Sequence, residues 1–145
     1  MDEIRPWLYI GNFDDTLDVT TMRAYSIGAM LQLAEDVKHA DIQSLYLPII
    51  DFSPIPHDLI RGGVAFVREQ KQQGRSVLVA CRMGINRSSA FCTAALKEEE
   101  GLGLLTAFRE VKSHHREADP YRPVWESLCQ YYREDVPFRE LGSHW

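Results

Sequence analysis

Four residues in the stretch Ser76–Ser89 have the types and spacing of a group-transfer site. Cys81 is followed by Gly84, then by Arg87 six residues after the cysteine, and directly by Ser88. A thiolate is both a nucleophile and a competent leaving group. An arginine offers a planar fork of N–H donors that matches two oxygens of a tetrahedral anion. Arg82, Met83, Gly84, Ile85 and Asn86 are expected, with Arg87, to close a ring of backbone N–H groups around that anion. Gly84 permits the turn and the close approach. Ser88 places a hydroxyl near the sulfur for the step in which the thiolate leaves. The chemistry this pattern supports is attack by Cys81 on a bound phosphoryl group, through a covalent phosphocysteine. It calls for no metal and no cofactor. The plainer alternative is a buried structural cysteine beside a solvated arginine.

A pattern of this kind works only if a strand, a tight loop and a helix N-terminus present it. Val77-Leu78-Val79-Ala80 reads as a short buried strand, and Ser88-Ser89-Ala90-Phe91 opens a helix that runs to Gly101. The positive end of that helix and the loop amides stabilise an anion and a thiolate alike. Before it, Ile4–Ile10 reads as an edge strand, 14–25 as a helix, 29–34 and 45–50 as strands, and 58–73 as a helix closed by Gly74. Leu104, Phe108 and Val111 mark a further helix, and Val124, Trp125, Leu128, Cys129 and Tyr132 give the last helix its core face. Asp51 follows the third strand at the head of a loop stiffened by Pro54 and Pro56, where it is either a catalytic acid or a solvated cap. Asp58 and His57 compete with it, Asp58 reading as an N-cap.

With 145 residues, 45% of them hydrophobic, the chain has the length for one core and reads as one domain over 1–145. A net charge of −5 carries no electrostatic footprint for nucleic acid or acidic membranes, so neither is expected as a partner. There is no membrane-length apolar run and no signal peptide in Met-Asp-Glu-Ile-Arg. Cys81, Cys92 and Cys129 have neither zinc spacing nor close pairing, which points to a reducing, cytoplasmic setting. His114 and His115 are read as cations closing a helix C-terminus, since adjacent residues on a helix point apart. Residues 138–145 suggest no function.

The segment Ala80-Cys81-Arg82-Met83-Gly84-Ile85-Asn86-Arg87-Ser88 resembles the His-Cys-x5-Arg-Ser/Thr signature of the cysteine-dependent protein phosphatases. Leu8-Tyr9-Ile10-Gly11 resembles the opening of their small dual-specificity members. The resemblance implies Cys81 as nucleophile, Arg87 as phosphate clamp, Ser88 as the hydroxyl assisting breakdown of the phosphoenzyme, and Asp51 as general acid. It implies an α/β domain with a mixed, largely parallel sheet of four or five strands and helices on both faces. The expected substrate is a phosphorylated protein, carrying phosphotyrosine and also phosphoserine or phosphothreonine, and the expected state is a monomer. Ala80 stands where the family has histidine, and Tyr121 where an asparagine is expected after Arg116 and Pro120 in the segment that supports the loop from behind. Asn86 resembles the RNA 5′-phosphatase branch. That branch, a phosphoinositide phosphatase and a phosphate-binding module without catalysis are the alternatives.

Overall fold

A computed structural model of the chain describes residues 1–142. The strand that ends at Cys81 is the middle of everything. It is β5 (Ser76–Ala80), and it pairs in parallel with β2 (Leu8–Gly11) on one side and β3 (Ile27–Gln32) on the other. Val77, Leu78 and Val79 are fully buried, as expected of a strand with both neighbours and both faces covered. β1 (Asp2–Arg5) and β4 (Gln43–Tyr46) complete a five-stranded sheet in the order β1-β2-β5-β3-β4, with only β1 antiparallel.

Helices cover both faces, as the resemblance implied. On one face α1 (Phe13–Leu17) and α2 (Val19–Ala24) close a small cluster in which Met22, Met30, Leu78 and Ala80 meet. On the other lie α3 (His57–Gln72), α4 (Arg87–Glu100), α5 (Leu104–His114) and α6 (Arg122–Tyr132), around Val77, Val79, Phe91, Phe108 and Trp125. α4 is buried on all sides from Arg87 to Leu96, which its small residues Ala90, Ala94 and Ala95 permit. Its buried hydroxyls turn inward to the helix backbone, Ser89 Oγ donating to Asn86 O and Thr93 Oγ1 to Ser89 O, both at 2.8 Å. None of the described helices is long and apolar enough to cross a membrane.

Several boundaries differ from those expected. Ile4–Ile10 is not one strand but the hairpin β1–β2, because the chain turns at Pro6-Trp7. The helix expected over 14–25 is two, divided at Asp18, which ends α1 and caps α2 by accepting from Thr21 N at 3.1 Å. The strand expected over 45–50 stops at Tyr46, two residues before Pro48. Pro56 rather than Asp58 occupies the N-cap of α3, placing Asp58 within its first turn. Part of the tail also packs: Phe138 and Leu141, in a short 3-10 turn (Phe138–Leu141), are buried, and Trp125 Nε1 donates to Val136 O at 2.8 Å. The remainder of that tail, 143–145, lies outside the described residues.

Two substitutions test this packing. Gly62 and Gly63 are neighbours in α3, but a Cβ at Gly62 meets nothing within 4 Å, whereas one at Gly63 meets the Phe91 ring at 2.3 Å. Gly62→Ala should therefore stabilise the fold by up to about 1 kcal/mol through helix propensity. Gly63→Ala should cost about 1–3 kcal/mol by overpacking, seen as opposite shifts of Tm in thermal unfolding. Separately, Arg5 clasps Glu100 with donors at 2.7 and 3.0 Å and Glu110 at 2.9 Å, tying β1 to the ends of α4 and α5. The Arg5 hydrogen bond holds the Glu100 carboxyl below its ordinary range. A carboxylate depressed by folding adds stability at neutral pH that is lost as pH falls through the carboxylate range. Glu100→Gln should cost about 1 kcal/mol or less at pH 7, and the gap from the parent should close below pH 4 in denaturant unfolding.

Candidate active site

Cys81 sits where β5 runs out, at the C-terminal edge of the parallel strands, where open α/β sheets place their ligands. The residue is buried, at 3% exposure, and its Sγ lies 3.2 Å from Ser88 Oγ. Ser88 is in the first turn of α4, so sulfur and hydroxyl face each other across the loop. Cys92, also buried in α4, has its thiol pushed well up by burial. The three cysteines are free.

Residues 82–86 turn tightly between strand and helix. Gly84 has a φ of +71°, and a Cβ there would stand 3.0 Å from Gly11 O, so both backbone freedom and bareness are needed. The side chains of Arg82 and Met83 leave the loop: Arg82 pairs with Glu35 at 3.0 Å over the ring of Phe13, and Met83 is exposed. Of these two residues, only the backbone is left for an anion.

Arg87 is buried, with Nη1 donating to Ile49 O at 2.8 Å and to Leu33 O at 3.4 Å. These carbonyls lie on the chain just after β4 and β3, and they hold the guanidinium from its far edge. Its Nε lies 3.6 Å from Asp51 Oδ1 and makes no hydrogen bond among the described residues. An oxyanion over the loop would satisfy that donor.

Asp51 is brought to this place by Asn86. Asn86 Nδ2 donates to Asp51 Oδ1 at 2.6 Å while Asn86 Oδ1 accepts from Tyr121 N at 2.7 Å. One buried amide therefore ties the loop at 82–86 to Asp51 and to the segment before α6. Phe52, at a φ of +62°, stacks on Tyr121 with ring centroids 4.6 Å apart and planes within 11°. Tyr121 thus replaces the expected asparagine by a backbone N–H and a ring. Burial, and next the charge of Asp51, push its phenol above the ordinary range. His57 and Asp58, the competitors for the acid role, are exposed on α3, His57 against the ring of Tyr131. Ala80 packs with Met30 and Leu78 in the cluster on the α2 face.

The support from behind differs from expectation. Arg116 is exposed, and His115 takes the inner position instead. It is buried to 7% exposure, with Nε2 donating to Gly84 O at 2.6 Å and Nδ1 2.6 Å from Asp2 Oδ2. His114 alone fits the helix-end reading, exposed with Nδ1 3.0 Å from Glu110 O. Position 115 continues the Leu104, Phe108, Val111 stripe by one more step, a signal that was present in the spacing. Nothing in the sequence announces the bridging role of Asn86, whose partners are 35 residues away on either side.

Similarity to known proteins agrees with this geometry. The family model for the dual specificity phosphatase catalytic domain matches residues 8–134. The chain is 27% identical over 139 residues to dual specificity protein phosphatase 22 of Xenopus tropicalis, covering 94% of this chain and 66% of that protein. It is 43% identical over 58 residues to human dual specificity phosphatase 28, covering 40% of this chain and 33% of that one. It thus spans from a third to two thirds of the length of these relatives. The crystal structure of human DUSP28 superposes with a TM-score of 0.86 at 23% identity, over 92% of this chain and 96% of that one. With the fold, the loop and the family model in agreement, this chain belongs to the dual specificity phosphatase catalytic-domain family.

Proposed function

We propose that this chain hydrolyses phosphotyrosine, and also phosphoserine and phosphothreonine, in protein substrates through a phosphocysteine intermediate. One observation carries the reading. Cys81 Sγ lies 3.2 Å from the Ser88 hydroxyl, within a loop whose Arg87 is locked by two backbone carbonyls and whose Asn86 holds Asp51. Cys81, Arg87 and Ser88 from one segment thereby lie together with Asp51 from another, which supports their reading as nucleophile, clamp, assisting hydroxyl and acid.

The steps follow from these positions. The loop amides and the Arg87 fork take the non-bridging phosphoryl oxygens, and they bind most strongly as charge builds on them in the transition state. The Cys81 thiolate forms the S–P bond as the bond from phosphorus to the leaving oxygen breaks, and protonated Asp51 gives its proton to that oxygen. Water then attacks phosphocysteine, and the Asp51 carboxylate takes a proton from it. The sulfur departs as a thiolate, stabilised by the hydroxyl of Ser88. Phe52 and Met83, exposed at 65% and 67%, are apolar residues on the acid loop and on the phosphate loop. They support an aromatic leaving group, and so phosphotyrosine. Asn86, the residue that suggested an RNA 5′-phosphatase, is accounted for by its two hydrogen bonds. The chain is proposed to act as a monomer in the cytoplasm.

Two measurements test this. Cys81→Ser should abolish turnover, because no base adjoins the serine hydroxyl, while equilibrium binding of a phosphotyrosine peptide persists. Appreciable turnover in that variant would eliminate the covalent route. Asp51→Asn should slow phosphotyrosine peptides by roughly 10²–10⁴-fold, the worth of general acid catalysis. It should slow p-nitrophenyl phosphate much less, since that leaving group departs without a proton. Asn86→Ala should show the same dependence on leaving group at smaller size, as Asp51 loses its tether. An equal loss on both substrates would remove Asp51 from the acid role.

A further inference from the structure

Behind the phosphate loop is a group of side chains that the phosphatase reading does not use as such. We propose that Asp2, His115 and Glu117 form a binding site for a divalent transition cation of the zinc class, and that its occupancy is coupled to oxyanion binding in the loop.

The buried histidine carries the argument. A carbonyl oxygen only accepts, so the 2.6 Å contact with Gly84 O requires His115 Nε2 to carry a proton. That bond orients the ring and directs Nδ1 the other way. Nδ1 faces Asp2 Oδ2 at 2.6 Å and Glu117 Oε2 at 3.4 Å. Ionised carboxylates also only accept, so something positive must lie between them and the nitrogen. A proton is one such group and a metal ion is the other. Metal-bound histidines characteristically donate their second N–H to a backbone carbonyl, which is the arrangement seen at Gly84.

Charge and space favour the metal. Asp2 and Glu117 have no lysine or arginine partner among the described residues, so a single proton on Nδ1 leaves the group with excess negative charge. A divalent cation in place of that proton, which leaves to solvent, brings the group to neutrality. The three donor atoms lie within 4.8 Å of one another. Zinc-class bonds of about 2.0–2.2 Å set ligand separations close to the Glu117 contact. The Asp2 contact needs to open by less than ~1 Å from its present length, which a side chain at 46% exposure allows. The group opens on a polar cavity of about 260 Å³, also lined by Gly11, Asn12, Gly84 and the Met1 ammonium, which Asp15 neutralises at 3.3 Å, with room for water as the remaining ligand. Coupling follows from the ring itself. A cation on Nδ1 makes Nε2–H a stronger donor, and its acceptor is the loop carbonyl on the far side of the Ile85 N–H. The metal site stands independently of the proposed function. Only the coupling rests on the reading of residues 81–87 as an oxyanion loop.

The test uses the full chain carrying Cys81→Ser, which removes the loop thiolate as a competing ligand. Co²⁺ is titrated while absorbance and ¹H–¹⁵N spectra are recorded, with Zn²⁺ as competitor. One site should fill, broadening first the amides of Asp2, Gly84 and His115–Glu117, and Zn²⁺ should reverse it. Glu117→Gln and Asp2→Asn should each weaken binding roughly tenfold or more. Glu117 is exposed at 63%, so its variant keeps the fold and decides the matter even where another does not. Sulfate, as a tetrahedral oxyanion, should tighten Co²⁺ by the same factor by which Co²⁺ tightens sulfate. Broadening centred on another histidine, or affinity unchanged in Glu117→Gln, overturns the site. Binding at these residues without reciprocal coupling overturns the regulatory half and leaves the metal site standing. Failure of turnover in the parent chain would instead bear on the proposed function alone.

Discussion

A loop that binds an anion through its N–H groups must turn its carbonyls outward, and those carbonyls then need donors of their own. Meeting that requirement is what organises this molecule. Arg82 O accepts from Phe13 N at 3.2 Å and Gly84 O from His115 Nε2 at 2.6 Å. Ile85 O accepts from Asp119 N at 2.9 Å, and Asn86 O from Ala90 N at 3.2 Å and Ser89 Oγ at 2.8 Å. The donors come from the start of α1, from the turn beyond α5 and from α4. The loop is therefore fastened around its outer edge by elements whose positions are set by the two cores, not by its own few residues.

The same logic extends to charge. Burying a guanidinium is expensive unless its donors are engaged. Arg87 meets that cost with the carbonyls of Leu33 and Ile49, which belong to chain leaving the C-terminal ends of the parallel strands. The parallel arrangement of β5, β3 and β4 thus supplies the acceptors that aim the Arg87 guanidinium. Asn86 adds the third coupling, since its amide joins Asp51 to the loop and to the segment before α6 with both ends satisfied. A buried amide with both ends bonded is rigid in a way that a surface ion pair is not.

How much of this was legible in the sequence depends on whether the cause is local. The run Val77–Ala80, the glycine at 84 and the small-residue start of α4 are local, and strand, loop and helix are found where they were expected. The division at Asp18 and the hairpin at Pro6-Trp7 are local too, but weak, and a periodic reading passes over a cap or a two-residue turn. Cys81 and Arg87 are readable from residue types and spacing, whereas Asp51 joins them only through resemblance, since no spacing links position 51 to the loop. His115 was misassigned because a histidine at a helix end has a common surface explanation. Only the tertiary fact that α5 ends beneath Gly84 makes it a buried support. Tyr121 departs from the expected asparagine, and its backbone N–H bond to Asn86 Oδ1 is a contact that side-chain identity does not announce.

The wide separation of the loop's fasteners has a kinetic meaning. Residues 13, 33, 49, 115 and 119 must all be in place before the carbonyls and the guanidinium are held, and they span most of the sequence. Loop closure over such distances is the slow part of assembling a parallel sheet. The loop is consequently completed only when the last of these distant segments has docked. A chain with its strands formed but α5 undocked would carry Cys81 beside a loop whose Gly84 carbonyl has lost its buried histidine donor.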